Sequence, residues 1–474
     1  MINAVYFKPH VYSSGYNPIV WSFSSDKNTQ VDFSYVVDIY VNSATGSTTP
    51  TYRLKQRPNL SGTCMVDVSS IVQPYIELTD YAVEQGWSKY YRDSTEITPS
   101  VFIKVGEEYQ GASGGALTIY NGYGATGAPA YPIYSLEQTG YPVIALPAAL
   151  PWEDGVESMA ATGGYGYFSD YMMGGTGAGL TGSGLFLKRG GNSVDIRSTD
   201  QHTLSFLNWN WQFSPGTYGR PIQGIQVKAY NSSGTLHHQG FYQNTISNGG
   251  GPNSVTNYTN ATWNRIYSML TFKCGPEDLG YSSDPNVAYY TVQAFYKDTA
   301  TSSSAAQRAA SELVTFTIDN PCENLYPVVR LSWLNDLGGR DYYNFDMFYE
   351  MTSSSKEETY SVTPLNWSGN YPVVVDAYPA NTSPNWLRGG SKSFNKVVER
   401  TFTIQSDWLT QAEVDLLGQI PESPSVWAYI GSEPIPYTII ITKADYTYKN
   451  IKQTKLVQAT FECKMTKTQP KQNY

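Results

Sequence analysis

The chain has 474 residues, a formal net charge of −9, only 15% charged residues and 40 Tyr. A chain this poor in Lys and Glu, and rich in Tyr, Thr, Ser, Asn and Gly, suits half-buried strands joined by polar turns and excludes helical bundles and coiled coils. Its apolar fraction of 41% excludes global disorder, and its acidic balance leaves no nucleic-acid footprint across the whole chain.

In chain order, an apolar run at 19–23 precedes VDFSYVVDIYV (31–41). There Val31, Phe33, Tyr35, Val37, Ile39 and Val41 share one face of a half-buried strand, and Asp32, Ser34 and Asp38 share the other. A polar turn at 42–50, the TYRLK strand and SVFIKVGEEY, where Val101, Ile103 and Val105 alternate, continue the rhythm of an antiparallel sandwich. The first domain is thus expected over residues 1–110. Within it, VSSIVQPYI reads as one helical turn capped by Ser69 or Ser70 and stopped by Pro74.

Residues 111–191 hold 19 of the 41 Gly. Such a tract loses much backbone entropy on ordering and is read as a long mobile loop or insertion that contributes to no domain core. Its anchors Tyr165, Tyr167, Phe168, Tyr171, Met172 and Met173 exceed what a spacer needs, which makes them the candidate partner-docking residues.

A second β-rich domain is expected over 192–321, carried by IQVKAY (Ile225, Val227 and Ala229 alternating), VAYYTVQAFY and ELVTFTI. The third, 322–474, opens with PVVRLSWL, turns at 335–339 and returns as RDYYNFDMFYEM, a hairpin. Thr410 and Glu413 form a T-x-x-E capping box, with Leu409 and Val414 placed for a hydrophobic staple and Gly418 with Pro421 as the stop, so a short helix is expected near 411–418. LVQATFECKM places Val457, Ala459, Phe461, Cys463 and Met465 on one face, with Cys463 in a core. From 443 to 474, seven Lys stand against Asp445 and Glu462; this basic stretch reads as a solvated strand face and a loose tail, not a polyanion site. The fold class is therefore mostly β: tandem antiparallel sandwich-like domains, a Gly-rich insertion and one or two short helices.

The search for chemistry returns little. G-x-G-x-x-G occurs at Gly122, Gly124 and Gly127 and at Gly177, Gly179 and Gly182, but Pro129 and Pro132 follow the first and more Gly surrounds the second, so neither opens the helix a pyrophosphate needs. GASGG places Ser113 in a nucleophile-elbow pattern with no helix after it, and His202, His237 and His238 lie in a different expected domain. Glu107 with Glu108 and Glu357 with Glu358 are sequence neighbours that read as solvated strand ends, not as carboxylates facing across a sugar. Trp209, Trp211 and Phe213 at period two read as one core face of a strand. The four Cys, at 64, 274, 322 and 463, fit neither a zinc site nor a disulfide framework and are expected as free thiols. The Asn-x-Ser/Thr triplets at Asn59, Asn231, Asn257, Asn260, Asn366 and Asn381 are expected by chance in such a composition. The N-terminal MINAVYFKPHVYSSGYNP lacks a secretion signal's apolar core, and the apolar stretch 141–150 is broken by Pro142 and Pro147. The expectation is a soluble, non-enzymatic protein folded in a reducing compartment, without cofactor, metal or membrane span.

Three stretches carry a resemblance: YNPIVWSFSSDKNTQVDFSYVVDIYV with YRLKQRPNLSGTCMVDVSSIVQPYI, then VVRLSWLNDLGGRDYYNF, then RTFTIQSDWLTQAEVDLLGQIPESPSVWAYI. Together with their surroundings, at 16–76 and 326–465, they resemble virion structural proteins of tailed bacteriophages, especially crAss-like phages of gut Bacteroidetes. The resemblance implies a tail, neck or baseplate-type component, made in the host bacterial cytoplasm and incorporated in the virion tail. It would be a homo-oligomer repeated around the tail axis, docked to other tail and neck proteins, with no sequence-specific nucleic-acid binding. The composition agrees, because large interfaces favour Tyr and Trp and deplete Lys and Glu. The alternative is an adhesin that binds a host-surface glycan or protein.

Overall fold

The β-branched and aromatic runs become strands as their alternation requires, and the computed structural model is mostly β with a few short helical turns. The structure describes residues 2–10, 12–43, 49–76, 91–93, 98–110, 117–121, 134–135, 143–151, 166–173, 184–208, 222–244, 269–297, 307–319, 328–362, 367–368, 371–372, 390–431, 436–445, 458–466 and 469–470. The chain divides into two units. One comprises Met1–Glu323, Arg330–Tyr343 and Asp415–Ser425, and the other Asn324–Val329, Asn344–Val414 and Val426–Tyr474.

In the first unit, Ile2–Phe7, Val20–Ser25 and Thr63–Asp67 form an antiparallel sheet. A second sheet runs in the order Tyr12–Ser14, Val143–Leu146, Ser100–Gln110, Ser34–Val41 and Tyr52–Gln56. Trp21, Phe23 and Val66 of the first pack with Tyr35, Val37, Ile39, Ile103 and Val105 of the second. The 34–41 strand is buried on both faces, not one. On its far face the Asp38 carboxylate accepts two hydrogen bonds from the Arg53 guanidinium, at 2.6 and 2.8 Å, and Tyr40 stacks on Phe102 at 4.7 Å. Val31 precedes the strand and is exposed. The expected helical turn is Ser69–Val72, but neither serine caps it. Asp67 Oδ1 instead accepts the Ser69 and Ile19 amides at 2.9 and 3.0 Å, joining turn and strand.

Further along, Met172–Met173, Thr203–Asn208, Met269–Lys273 and Tyr91–Asp93 form a sheet, and a larger one runs Ser193–Ile196, Val314–Ile318, Tyr289–Lys297, Ile222–Tyr230, Leu236–Gln243. Met173, Phe206 and Phe272 of the former share a core with Ile225, Val227, Val292 and Phe316 of the latter. A third cluster joins Tyr12, Ile144, Leu146 and Phe168 to Leu187, Leu207, Met269 and Leu337. The expectation that 111–191 contributes to no core is thereby corrected. Among its described residues Val143, Ile144, Leu146, Phe168, Met173, Phe186 and Leu187 are buried. Short apolar runs between the glycines add strands to existing sheets, and their burial offsets the ordering of the tract.

One turn recurs three times. In Asn59–Thr63, Asn231–Thr235 and Asn335–Gly339 the Asn backbone N–H donates to the carbonyl four residues on, at 2.9, 3.1 and 2.9 Å, and the fourth residue is Gly at φ +76°, +79° and +88°. Each Asn Oδ1 accepts the backbone amides two and four residues on, at 2.8–3.1 Å. At the first two, Oδ1 also accepts the hydroxyl of Ser61 or Ser233 at 2.7 Å. The triplets at Asn59 and Asn231 are thus turn chemistry: Asn organises the loop and Gly alone adopts the left-handed position without strain.

The third copy, within the Arg330–Tyr343 hairpin, is buried. Asn335 Nδ2 donates to the Leu187 carbonyl at 3.1 Å and to Asp341 Oδ2 at 2.9 Å, and Gly338 lies against Pro147. At the hairpin's other end Arg330 donates to Asp200 Oδ2, the Gln201 carbonyl and His202 Nδ1 at 3.2, 3.1 and 3.0 Å, over the Tyr342 ring. Burial, then the Arg330 charge, pushes the His202 pKa well below its ordinary value, so the ring is neutral and its Nδ1 accepts.

The second unit's strands run Val426–Ile430, Tyr437–Asp445, Thr460–Met465, Gly390–Gln405, Phe348–Val362, each antiparallel to the next. Phe402, Ile404, Phe461, Cys463 and Met465 are buried, with Phe345 edge-on to Phe461 at 5.6 Å. The return strand expected at 340–351 is therefore two, Arg340–Phe345 and Phe348–Val362. The capping box forms before helix Gln411–Leu417: Glu413 Oε2 accepts the Thr410 amide and hydroxyl at 2.7 and 2.8 Å, with Leu409 and Val414 buried.

Candidate interaction surface

The six candidate docking residues fall in the first unit. Tyr165 lies outside the described residues; the others occupy the turn Gly166–Tyr171 and the strand Met172–Met173. Phe168 and Met173 are 1% and 0% exposed, so they are core residues and not available to a partner. Tyr167, Tyr171 and Met172 are half-buried against the same core. Tyr167 stacks on Tyr171 at 6.3 Å, and its hydroxyl accepts from Arg189 Nη2 at 3.1 Å. Arg189 in turn grips Asp336 through Nε and Nη2, both at 2.7 Å. That pairing raises the Arg189 pKa, and burial pushes the Tyr171 hydroxyl up to about 12. The polar end of Tyr167 thus serves this chain's own fold.

The residues weighed for chemistry are scattered. Ser113, the two Gly motifs, Cys322 and Trp209, Trp211 and Phe213 lie outside the described residues. His237 Nε2 meets Asp284 Oδ2 at 2.9 Å on an exposed strand, far in role from the buried His202. Glu107 is not solvated: it is buried and accepts the Ser25 hydroxyl at 2.6 Å, while Glu108 pairs with Lys55. Glu357 and Glu358 are exposed. Cys64, Cys274 and Cys463 are free and buried, their thiol pKa values raised by burial, to about 12 for Cys64 and Cys463. Among the described residues no group of His, Cys, Asp and Glu could hold a metal ion, and no helix is long and apolar enough to cross a membrane.

The surface that sequence reasoning missed is in the second unit. Phe348–Val362 and Gly390–Gln405 pair over fifteen rungs, from Phe348 opposite Gln405 to Val362 opposite Gly390. Thr460–Met465 supports only Thr401–Gln405, and Gln469–Pro470 touches only Val397 and Val398. Residues 350–360 are all exposed, including Met351 and Tyr360 at 40% and 49%. Near the root, Met347 and Trp408 are also exposed. Exposed ion pairs Lys356–Glu399 (3.2 Å) and Lys464–Glu399 (3.4 Å) lace one face, and they hold the Glu399 carboxyl below its ordinary range. Of the basic C-terminal stretch, Lys443 and Lys464 are engaged in such pairs. A long edge strand exposed on both faces over 350–360, with main-chain groups along its rim, can add a strand, lie across a groove or carry a docking loop.

No family model matches the chain, and no curated protein matches it. Among solved structures, a chain of a particle described as "Virion of native gene transfer agent (GTA) particle" is similar over 33% of this chain and 100% of that one, with 11% identity and a TM-score of 0.17. A TM-score this low carries no argument about function, and the finer resemblance to crAss-like phages of Bacteroidetes finds no support in these comparisons.

Proposed function

We propose that this chain is a non-enzymatic structural component of a tailed-phage virion, a tail or neck ring, hub or baseplate-type protein that assembles with copies of itself and docks neighbouring tail proteins. The observation that carries this reading is the strand Phe348–Val362, exposed on both faces over 350–360, paired with Gly390–Gln405, which further described strands support only at Val397–Val398 and Thr401–Gln405. A two-stranded ribbon is marginally stable alone in water and becomes worth building when a neighbour covers it. The low-charge, Tyr-rich composition and the resemblance of the 16–76 and 326–465 stretches point the same way. The second reading, a host-surface adhesin, draws on the exposed Tyr360 and Trp408, because exposed aromatics also stack on sugars. Immunogold labelling of particles from the encoding phage tests the first reading: label at one fixed level of the tail or neck is expected. Label absent from particles overturns it, and binding of the purified chain to host cells or capsular polysaccharide favours the adhesin.

A further inference from the structure

The first unit contains a pocket of about 100 Å³ where the Arg330–Tyr343 hairpin meets residues 147–149 and 419–424. Most of its polar lining is already engaged in the fold. Both carboxylate oxygens of Asp336 accept from Arg189 at 2.7 Å, Asn335 holds its own turn and donates to Asp341, and the Ser423 hydroxyl donates to the Ser425 carbonyl at 3.1 Å. Two acceptors are left over. Gln419 Oε1 is buried and accepts no hydrogen bond, and among the described residues no group pairs with the exposed Glu422 carboxylate. A buried carbonyl oxygen without a donor is costly, and native proteins pair nearly all of them. The pocket thus lacks a donor, and the unpaired charge in its lining is negative. Size narrows the occupant further. A cavity of about 150 Å³ holds a benzene ring, so this one takes about four heavy atoms, far short of a sugar or a nucleotide.

We propose that this pocket is a socket for a lysine side chain of a neighbouring protein, its ammonium donating to Gln419 Oε1 and facing Glu422 while its methylenes lie against Pro147, Leu334 and Pro424. A compact ammonium on a flexible apolar stem suits one buried carbonyl and one carboxylate at the end of an apolar wall. A guanidinium is wider and is best met by both oxygens of one carboxylate, and those of Asp336 are taken by Arg189. The socket rests on the docking role proposed above and adds a chemical feature of the partner; it is independent of whether copies of this chain bind one another.

The test titrates Nα-acetyl-lysine N-methylamide into the full chain, followed by saturation-transfer difference NMR. Its side-chain-acetylated form, the arginine counterpart and putrescine are titrated in parallel. The lysine probe is expected to bind in the millimolar range and more weakly as salt rises, and the acetylated form not at all. Glu422→Gln and Gln419→Leu are each expected to weaken binding about tenfold. Glu422 is exposed, so Glu422→Gln keeps the fold, checked by an unchanged urea midpoint, and it carries the test alone where Gln419→Leu does not fold. A lysine probe that does not bind, or that binds both variants like wild type, overturns the socket. Tighter binding of putrescine or of the arginine probe overturns the assignment to lysine. Each of these results leaves the labelling of particles as an independent test of the virion role.

Discussion

Arg330 is 2% exposed and donates hydrogen bonds to groups of residues 200–202, far away in sequence. Removing the buried guanidinium takes a donor from the Gln201 carbonyl and His202 Nδ1 and leaves Asp200 with the Arg197 guanidinium, so Arg330→Ala is expected to cost about 3 to 5 kcal/mol, read as a lower urea midpoint by circular dichroism. His202 makes the same network pH-sensitive. Its folded pKa lies below its unfolded value near 6.5, so the unfolded chain binds the extra proton: stability is complete above that pH and falls as pH drops below it, by at most about 1.4 kcal/mol per unit. Asp341, whose folded pKa is raised by burial, acts with the opposite sign in the acid range, so the comparison must be differential. Against His202→Gln, the wild type should lose stability more steeply between pH 6.5 and 5; equal slopes would show that the ring titrates freely. None of this was legible in the sequence, where His202 and Arg330 stand among ordinary strand residues and only the fold brings them together.

Local elements were legible where their signal is local. The capping box at Thr410 and Glu413, the alternation of Ile225, Val227 and Ala229, and the inward Cys463 all stand as the spacing dictates, because each depends on neighbours within a turn or a strand. The Asn-x-x-Gly turns were in view as the triplets at Asn59 and Asn231 and as the hairpin turn at 335–339; that they share one hydrogen-bonding pattern emerges only from the fold. Asn231→Ala and Gly234→Ala are each expected to destabilise by about 1 kcal/mol, the first by removing the amide acceptor and the second by forcing Ala to positive φ. Gly339→Ala should be far worse, since a Cβ there would collide with the Leu187 carbonyl. Equal midpoints for Gly234→Ala and Gly339→Ala would contradict the buried placement of the third turn. The Gly-rich tract was misread because glycine count masks the few apolar residues between. Phe168→Ala and Met173→Ala are each expected to cost about 2 to 5 kcal/mol in thermal or urea unfolding. The ribbon was missed for the opposite reason: TSSSKEETYSV has few apolar residues, so it reads as a polar connection although its backbone pairs along its whole length, with one register shift between Glu358 and Thr359.

At the scale of the whole molecule, the two units are interleaved along the chain, and the first is completed by Arg330–Tyr343 and Asp415–Ser425. Domain boundaries written as consecutive blocks could not express that return. A fragment ending at residue 323 lacks Leu337, a member of the core that holds Phe168 and Leu187, and the donor of the Arg330 network. It should show reduced cooperativity in urea unfolding, and supplying the missing segments as part of the full chain should restore it. Low charge, many tyrosines and an exposed edge strand are the features that the proposed assembly would cover. Native mass spectrometry of the purified full-length chain addresses this most directly. A closed homo-oligomer of one fixed copy number, dissociating as salt rises, is the expected result; a chain that stays monomeric at every concentration and salt would contradict it.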